Sequence, residues 1–278
     1  MTELLTETSV FSLRNKVAVV TGSLGLLGKQ HCYALAEAGA HVVVTDLDQK
    51  GCSDLAGELT DEYHGLSLSA ECEITDRSSI ARLKDFAVEE FGRIDVLVNN
   101  AAINDMVEGH QESDGPVKLE DFPLEAWNRS MEVNVTGTFL CCQILGTAMR
   151  EQGYGSIINI ASTYGVVAPD QSLYMNPDGS QAFYKSPAYP TTKGAVLALT
   201  RYLAAYWGKA GVRVNALSPG GVKNGQSNFF IEKYSTRTPL GRMAYPNDYK
   251  GAIVFLASDA SKYMTGANLV VDGGWTIW

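Results

Sequence analysis

The stretch "SPAYPTTKGA" (186–195) places a tyrosine and a lysine four residues apart. On a helix Tyr189 and Lys193 share one face, and Pro187 and Pro190 are typical of a first turn. A lysine cation beside a phenol stabilises the phenolate and lowers the tyrosine pKa from about 10. The pair could therefore supply a general base near neutral pH. An ordinary surface pair is the alternative, because this spacing is common on helices.

A second candidate site is the glycine-rich stretch "VVTGSLGLLG" (19–28), which follows a predicted strand and opens a predicted helix. Gly22, Gly25 and Gly28 would allow a tight turn, close approach of the backbone to a pyrophosphate, and close packing of helix on strand. The helix N-terminus supplies free N–H groups and a favourable dipole. This context predicts dinucleotide binding.

Asp46 ends the second predicted strand, 24 residues after Gly22. An acid near this place binds the adenosine ribose hydroxyls in dinucleotide-binding folds. The same carboxylate repels a 2′-phosphate, and positions 23, 24 and 47 hold no Arg or Lys. The sequence therefore predicts NAD(H) rather than NADP(H). The alternative is that Asp46 caps a helix or a turn.

The elements that would position these residues alternate along the chain. Strands are predicted at 16–21, 41–46, 66–71, 94–99, 156–162, 212–218 and 268–274, and helices near 26–38, 51–62, 77–91, 124–151, from about 187, and near 246–258. Such uniformly apolar strands are typical of a parallel sheet covered by helices on both faces. We therefore predict one doubly wound α/β domain of the Rossmann type.

The predicted domain spans 14–278 and follows an N-terminal tail at 1–13. Two stretches look like added loops, at 103–122 and 166–187. Both follow strands at the carboxyl edge of the sheet, where ligands bind in open α/β folds. They are either tolerated surface insertions or segments that enclose a substrate.

Composition disfavours several classes of function. The net charge of −9 and the pI near 5.0 disfavour nucleic acid and anionic membranes as partners. No apolar run is long enough to cross a membrane, and the N-terminus lacks a secretion signal. Five cysteines without a CxxC motif predict reduced thiols in a cytoplasm, and four scattered histidines without HExxH predict no zinc site. No G-x-S-x-G elbow supports a hydrolase.

Eight motifs in order resemble the short-chain dehydrogenase/reductase family over nearly all of 14–275. They are "TGSLGLLG", "LVNNAA" (97–102), "VNVTGTF" (133–139), "IINIASTYG" (157–165), "YPTTK" (189–193), "RVNALSPGG" (213–221), "PLGR" (239–242) and "TGANLVVDGG" (265–274). The resemblance implies a seven-stranded parallel sheet of order 3-2-1-4-5-6-7 and a small-molecule substrate.

The resemblance also implies a catalytic tetrad of Asn134, Ser162, Tyr189 and Lys193. Tyr189 would exchange a proton with the substrate oxygen, and Ser162 would hydrogen-bond that same oxygen. Lys193 would bind the nicotinamide ribose and lower the pKa of Tyr189. Asn134 would hold a water that links Lys193 to solvent.

Cofactor contacts are implied at the glycine-rich turn, near adenine (Glu73, Ile74), by the ribose (Asn100, Ala101) and beside the nicotinamide amide (Pro219, Val222). The full set is Gly22, Leu24, Gly25, Leu26, Leu27, Gly28, Asp46, Leu47, Glu73, Ile74, Asn100, Ala101, Ala102, Tyr189, Lys193, Pro219, Gly220 and Val222. Substrate contacts are expected at Asn104, Ser162, Tyr164 and Tyr189.

The chain departs from the family pattern in places. Leu26 stands where the middle glycine of the ordinary subgroup would be, Ala102 replaces the last glycine of NNAG, and Asn224 stands where a threonine is common. The step of 27 residues from Ser162 to Tyr189 exceeds the family's spacing. The insertion must therefore loop out if both residues are to face one substrate oxygen.

The insertion 166–187 is rich in Asp, Asn, Gln, Ser and Tyr. A polar lid suits a polyhydroxylated substrate, and "INIASTYGVVAP" with "VDGGWT" resembles a subgroup linked to sugar and nonulosonic-acid modification. The first hypothesis is an NAD-dependent dehydrogenase of a sugar, sugar acid or polyol. The alternatives are a ketone or 3-oxoacyl reductase for less polar substrates and a non-catalytic NAD-binding sensor.

The helix that continues from Lys193 has an apolar face of Val196, Leu199, Leu203 and Tyr206. This face belongs either to the core or to a subunit interface. The family resemblance implies a homotetramer or homodimer, and the two tryptophans of "GGWTIW" favour docking on another surface.

Overall fold

The computed structural model describes residues 9–63, 65–104 and 117–278. Within them one parallel sheet has the order β3-β2-β1-β4-β5-β6-β7. Its strands are β1 Val17–Thr21, β2 His41–Asp46, β3 Ser67–Glu71, β4 Val96–Asn99, β5 Gly155–Ile160, β6 Val212–Pro219 and β7 Asn268–Val271. The predicted strand order and fold are confirmed, and every strand is found within three residues of its predicted bounds.

Helices cover both faces of this sheet. They are α1 Leu26–Glu37, α2 Gln49–Glu62, α3 Arg77–Phe91, α4 Leu124–Met131, α5 Thr138–Gln152, α6 Ala188–Trp207, α7 Asn228–Thr236 and α8 Lys250–Ala257. Ala18 and Val20 of β1 pack in the core with α1, α2 and α8, while Val17 and Val19 pack on the opposite face with α3, α5 and α6. Successive strand residues point to opposite faces, so a strand covered on both sides must be apolar throughout.

Two helical predictions need correction, and one helix was not predicted. The long helix expected at 124–151 contains a π-helical stretch, Glu132–Gly137, between α4 and α5. The helix expected at 246–258 begins as a 3₁₀ turn, Pro246–Tyr249, before α8. Helix α7 was missed altogether, although its start carries a signal: Ser227 accepts a hydrogen bond from the Phe230 N–H at 3.2 Å, as an N-cap serine does.

The packed part of the chain begins before the predicted boundary at residue 14. Leu13 is fully buried, and its N–H donates to the Ala38 carbonyl at 2.9 Å. The Val10 carbonyl accepts from the Ala260 N–H at the same distance of 2.9 Å. These contacts tie residues 10–13 to the core. Of the predicted loop at 103–122, residues 105–116 lie outside the described residues.

His31 of α1 is a buried titratable group away from the predicted site. It is fully buried, and neither ring nitrogen has a hydrogen-bond partner among the described residues. Burial lowers the pKa of His31 from 6.5 to about 3. In the window between these two values the unfolded chain binds a proton that the folded chain excludes, so stability is lost as pH falls through it.

Replacing His31 with leucine is expected to flatten the acid side of the stability profile. Each pH unit below about 6.5 should lower the free energy of unfolding of the wild type by up to about 1.4 kcal/mol more than that of the variant. Urea unfolding between pH 4.5 and 7.5 measures the two slopes. Leu35→Val in the same helix is the control, because it should cost roughly 1 kcal/mol at every pH. Equal slopes for the wild type and His31→Leu would contradict the assignment.

Candidate active site

The three glycines of the turn between β1 and α1 each meet a different structural requirement. Gly22 has φ +64°, a conformation that side chains rarely adopt. A Cβ on Gly28 would lie 2.0 Å from the Gly22 carbonyl oxygen, so α1 packs directly on the turn. Gly25 precedes α1 without a side-chain cap, and a Cβ there would meet only that same carbonyl oxygen, at 3.3 Å. The helix N-terminus is therefore open at Gly25, as an anion site requires.

Asp46, at the end of β2, hydrogen-bonds to the backbone of this turn. Its carboxylate accepts hydrogen bonds from the Leu24 N–H at 3.0 Å and from the Leu47 N–H at 2.8 Å. The cap of α2 is Asp48, which accepts from the Gly51 N–H at 3.1 Å. Asp46 is thus not a helix cap, although it does cap the glycine-rich turn through the Leu24 N–H. Its carboxylate lies beside this turn, where a ribose is expected.

The two residues predicted to contact adenine, Glu73 and Ile74, make contacts with other residues of the chain. The Glu73 carboxylate accepts from the Thr75 N–H at 3.0 Å and from its hydroxyl at 2.9 Å. Ile74 is buried against Gly137, where an added Cβ would lie 2.6 Å from the Ile74 side chain. The adenine contacts stay predictions.

Asn100 holds the glycine-rich turn from β4. Its amide donates to the Thr21 carbonyl at 3.1 Å and to the Gly22 carbonyl at 2.8 Å. The Ala101 N–H donates to the Thr21 hydroxyl at 3.1 Å. The end of β4 and the glycine-rich turn therefore form one hydrogen-bonded unit.

Tyr189 and Lys193 lie near the start of α6, as predicted. The Lys193 ammonium group is 5.7 Å from the centre of the Tyr189 ring and donates to the Ile160 carbonyl at 2.7 Å. Burial lowers the pKa of Lys193 to about 8. Below that pH the lysine is mainly a cation beside the phenol.

Ser162 follows β5 and lies near Tyr189 and Lys193. Its hydroxyl oxygen accepts a hydrogen bond from the Tyr164 N–H at 3.1 Å, and Ser162 thereby caps the start of a 3₁₀ turn, Thr163–Gly165. A Cβ on Gly165 would lie 2.8 Å from the carbonyl carbon of Lys193, so this turn rests directly on α6. The insertion therefore loops out, and Ser162 and Tyr189 line one cavity.

Asn134 sits in the π-helical stretch. Its side-chain oxygen accepts from the Ile103 N–H at 2.8 Å, and its amide donates to the Ile103 carbonyl at 3.0 Å and the Thr192 hydroxyl at 3.2 Å. Asn134 thus joins the segment after β4 to α6. Such bulges often occur at functional sites. The water held by Asn134 stays a prediction.

A cavity of about 570 Å³ opens at the carboxyl edge of the sheet. Many of the predicted cofactor and substrate contacts line it: Gly25, Leu26, Leu27, Asn100, Ala102, Asn104, Ser162, Tyr164, Tyr189, Lys193, Pro219, Gly220 and Val222. The other predicted residues do not: Gly22, Leu24, Gly28, Asp46, Leu47, Glu73, Ile74, Ala101 and Asn134.

The insertion 166–187 encloses this cavity with aromatic side chains. Tyr174 lies 4.7 Å from Phe183 and 5.7 Å from Phe230 of α7, measured between ring centres, and all three line the cavity. The polar residues Asn176, Asp178 and Ser180 hydrogen-bond one another in an exposed turn instead. The polar residues of this turn therefore lie on the outer surface and do not support a polar substrate.

Lys185 is a cavity residue that sequence reasoning missed. Its side chain is buried, and its ammonium group donates to the Asn104 side-chain oxygen and lies 4.2 Å from the centre of the Tyr189 ring. The available signal was a lysine four residues before Tyr189 in "FYKSPAY" (183–189).

The described residues contain neither a metal-ligand cluster nor a membrane-spanning helix. Residues 9–63, 65–104 and 117–278 contain no group of three or more His, Cys, Asp or Glu side chains that could hold a metal ion. No helix in this same part of the chain is long and apolar enough to cross a membrane.

Comparison with known proteins gives concordant matches. A family model described as enoyl-(acyl carrier protein) reductase matches residues 26–276. The D-threitol dehydrogenase of Mycolicibacterium smegmatis is 36% identical over 96% of this chain and 95% of its own length. The NAD-dependent glycerol dehydrogenase of Listeria innocua is 32% identical over 96% of both chains. A gluconate 5-dehydrogenase from Burkholderia cenocepacia, solved with NADP and tartrate, superposes with a TM-score of 0.84 at 31% identity and covers 96% of this chain and 98% of its own.

Proposed function

Because this chain belongs to the short-chain dehydrogenase/reductase family, we propose that it transfers a hydride between NAD(H) and a hydroxyl-bearing carbon of a sugar, sugar acid or polyol. The observation that carries this proposal is the convergence of Tyr189, Ser162 and Lys193 on one cavity that also contains the open start of α1. A similar chemistry is named for the threitol, glycerol and gluconate dehydrogenases.

The residues present fit a nicotinamide dinucleotide. Gly25 leaves the N-terminus of α1 open, where a pyrophosphate would bind, and the Asp46 carboxylate beside this turn would bind the adenosine ribose hydroxyls. Lys193 and Tyr189 would hold the nicotinamide ribose. When bound, the nicotinamide accepts or supplies the hydride.

Tyr189 is the proposed general acid and base. Its hydroxyl exchanges a proton with the substrate oxygen, and the Lys193 ammonium group stabilises the phenolate, which accepts the alcohol proton during oxidation and forms again when the hydroxyl donates its proton during reduction. The Ser162 oxygen accepts from the Tyr164 N–H and keeps its own proton, which it donates to the same substrate oxygen. The chain thus contributes orientation, charge and a proton path.

A second candidate substrate class is a less polar ketone or 3-oxoacyl compound. The aromatic lining of Tyr174, Phe183 and Phe230 favours it. A non-catalytic NAD-binding sensor has less support, because such a protein would have no need for the full tetrad.

Turnover of a compound panel with NAD⁺ and NADP⁺, followed at 340 nm, tests the proposal. Sugars, sugar acids, polyols and apolar alcohols form the panel. We expect turnover of a polyhydroxylated compound with NAD⁺ preferred about 100-fold in kcat/KM, because the Asp46 carboxylate repels a 2′-phosphate. Asp46→Ser should reduce that preference at least about tenfold.

Asp48→Ser is the matched control for Asp46→Ser. It removes a carboxylate near the same turn but leaves a residue that can still cap α2, so stability should change by a few tenths of a kcal/mol at most and the cofactor preference should be kept. A wild-type preference for NADP⁺, or an unchanged ratio in Asp46→Ser, would contradict the cofactor assignment. Turnover of apolar alcohols alone would favour the second candidate.

We also propose a homotetramer or homodimer in the cytoplasm. Val196 and Leu203 belong to the core, whereas Tyr206 and Tyr202 of α6 are 66% and 64% exposed and stack with ring centres 6.0 Å apart. An exposed aromatic pair of this kind suits a contact with a second copy. A single-chain mass in light scattering at micromolar concentration would exclude both oligomers.

A further inference from the structure

Tyr234 of α7 contacts the backbone that follows β6. Its side chain is buried, and its hydroxyl oxygen accepts a hydrogen bond from the Gly221 N–H at 2.6 Å. Gly221 lies between Gly220 and Val222, which are both predicted cofactor contacts, and these residues line the cavity together with Tyr234. Helix α7 is therefore joined directly to the segment 219–222, which is expected to lie beside the nicotinamide.

The fit between Gly221 and the Tyr234 ring is close. A Cβ added to Gly221 would lie 2.5 Å from Cζ of Tyr234 and 2.8 Å from its hydroxyl oxygen. Burial raises the pKa of Tyr234 well above that of an ordinary tyrosine, so the hydroxyl is uncharged at neutral pH. The bond to the Gly221 N–H is thus a neutral hydrogen bond, whose geometry depends on where the ring is held.

The ring of Tyr234 is held by the C-terminal segment of the chain. The Trp275 ring stacks on it with an interplanar angle of 11° and ring centres 4.2 Å apart. The Asp272 carboxylate accepts from the Gly274 N–H at 2.8 Å and from the Thr276 N–H at 2.9 Å. These two bonds fix the backbone on either side of Trp275. Aromatic stacking adds to the stability that burial alone provides, so the position of the Tyr234 hydroxyl is well defined.

Gly220, the residue before Gly221, is held by the core of the domain. Its N–H donates to the Val271 carbonyl of β7 at 3.0 Å, and its carbonyl accepts from the Tyr249 hydroxyl at 3.2 Å. The Tyr234 hydroxyl adds a contact from a different direction, since α7 lies on the substrate side of the cavity.

Helix α7 is also tied to the insertion 166–187. The Lys233 ammonium group donates to the Ser172 carbonyl at 2.8 Å, and the Arg237 guanidinium group donates to the Ser172 hydroxyl at 2.9 Å. Phe230 of the same helix lines the cavity. One helix therefore connects the wall that would face the substrate with the segment that would face the nicotinamide.

We propose that Tyr234 is a positioning residue for hydride transfer: its hydroxyl holds Gly221, and through the segment 219–222 it sets the place of the nicotinamide ring relative to Tyr189. This inference rests on the proposed function and adds a residue outside the tetrad. Tyr234 acts through the backbone and does not itself transfer a proton. A misplacement of about 1 Å can cost roughly 100-fold in rate, so this hydrogen bond should affect both cofactor binding and kcat.

Tyr234→Phe removes this hydrogen bond and keeps the ring. NADH and ADP-ribose are the two probes, because ADP-ribose lacks the nicotinamide. In calorimetric titrations we expect the variant to bind NADH about tenfold more weakly, as for one lost hydrogen bond, and to bind ADP-ribose within about twofold of the wild type. With a substrate that the wild type oxidises, kcat should fall about tenfold or more. The pH profile of kcat should keep its wild-type pKa values, because Tyr189 and Lys193 are untouched.

Two further variants separate positioning from stability. Trp275→Leu removes the stacking partner of Tyr234 without changing a residue that lines the cavity. It should weaken NADH binding at least about threefold and leave ADP-ribose binding within about twofold. Tyr154→Phe is the control, because Tyr154 precedes β5 at the opposite edge of the sheet and its hydroxyl lies 3.5 Å from the Asp259 carboxylate. It should leave the binding of both probes within about twofold.

The two probes also distinguish the ways in which the inference could fail. Equal losses of affinity for NADH and ADP-ribose in Tyr234→Phe would show that Tyr234 supports the fold as a whole, and would overturn the inference. Wild-type NADH affinity and an unchanged kcat in Tyr234→Phe would overturn it too, and would leave the proposed function intact. A wild type that binds no NADH and turns over no polyol or sugar acid would contradict the proposed function itself.

Discussion

Tyr189→Phe is expected to lower kcat about 1,000-fold, the size of effect that general acid–base catalysis supplies. The substitution removes only the hydroxyl, so the ring should stay near the ammonium groups of both Lys185 and Lys193. NADH binding, measured by fluorescence, should change by no more than a few-fold, because the glycine-rich turn and Asp46 are untouched. The variant should therefore bind cofactor and fail in proton transfer.

Tyr164→Phe is the matched control for this experiment. Tyr164 also lines the cavity, but its hydroxyl bonds to the Tyr174 hydroxyl at 2.7 Å. Its loss should cost roughly 1 kcal/mol of stability and less than about tenfold in kcat. Full activity in Tyr189→Phe would assign the proton transfer to another group. Full loss in both variants would indicate damage to the cavity rather than to its chemistry.

The sequence was most informative where one physical requirement dominates. Strands covered on both faces must be apolar at every position, and β1 and β2 show this plainly. The glycines of the first turn were predictable for the same reason, because no other residue fits the space that Gly28 occupies. Tyr189 and Lys193 could be paired by helical spacing alone, whereas Ser162 and Asn134 needed the family resemblance.

What the sequence could not provide was the direction in which side chains of the insertion point. The insertion contains nine polar or charged residues and three aromatic ones, and only the tertiary packing on α7 turns Tyr174 and Phe183 inward. The polar residues of its turn satisfy one another locally, as Asp178 and Ser180 do. Lys185 was missed for the same reason. Its distance to Asn104, 81 positions earlier in the chain, is a property of the fold.

Gly28→Ala is expected to destabilise the protein by about 3 kcal/mol and to abolish measurable NADH binding. The added Cβ would lie 2.0 Å from the Gly22 carbonyl oxygen and 2.8 Å from the Asn100 amide nitrogen. Neither atom can yield easily, because that amide donates to that carbonyl and to Thr21. Helix α1 must therefore move away from β1 and take the phosphate site with it. Urea unfolding and NADH fluorescence measure the two effects.

Gly25→Ala tests cofactor binding separately from helix packing, because Gly28 packs α1 on the turn whereas Gly25 is expected to face the pyrophosphate. A Cβ at Gly25 would meet only the Gly22 carbonyl oxygen, at 3.3 Å, and it would face the cavity. The free energy of unfolding should fall by no more than about 1 kcal/mol. NADH affinity should nevertheless fall at least about tenfold, because the methyl group occupies the space through which the backbone approaches a pyrophosphate. If Gly28→Ala were as stable as the wild type, helix packing would not define this turn. If Gly25→Ala bound NADH normally, the pyrophosphate would lie elsewhere.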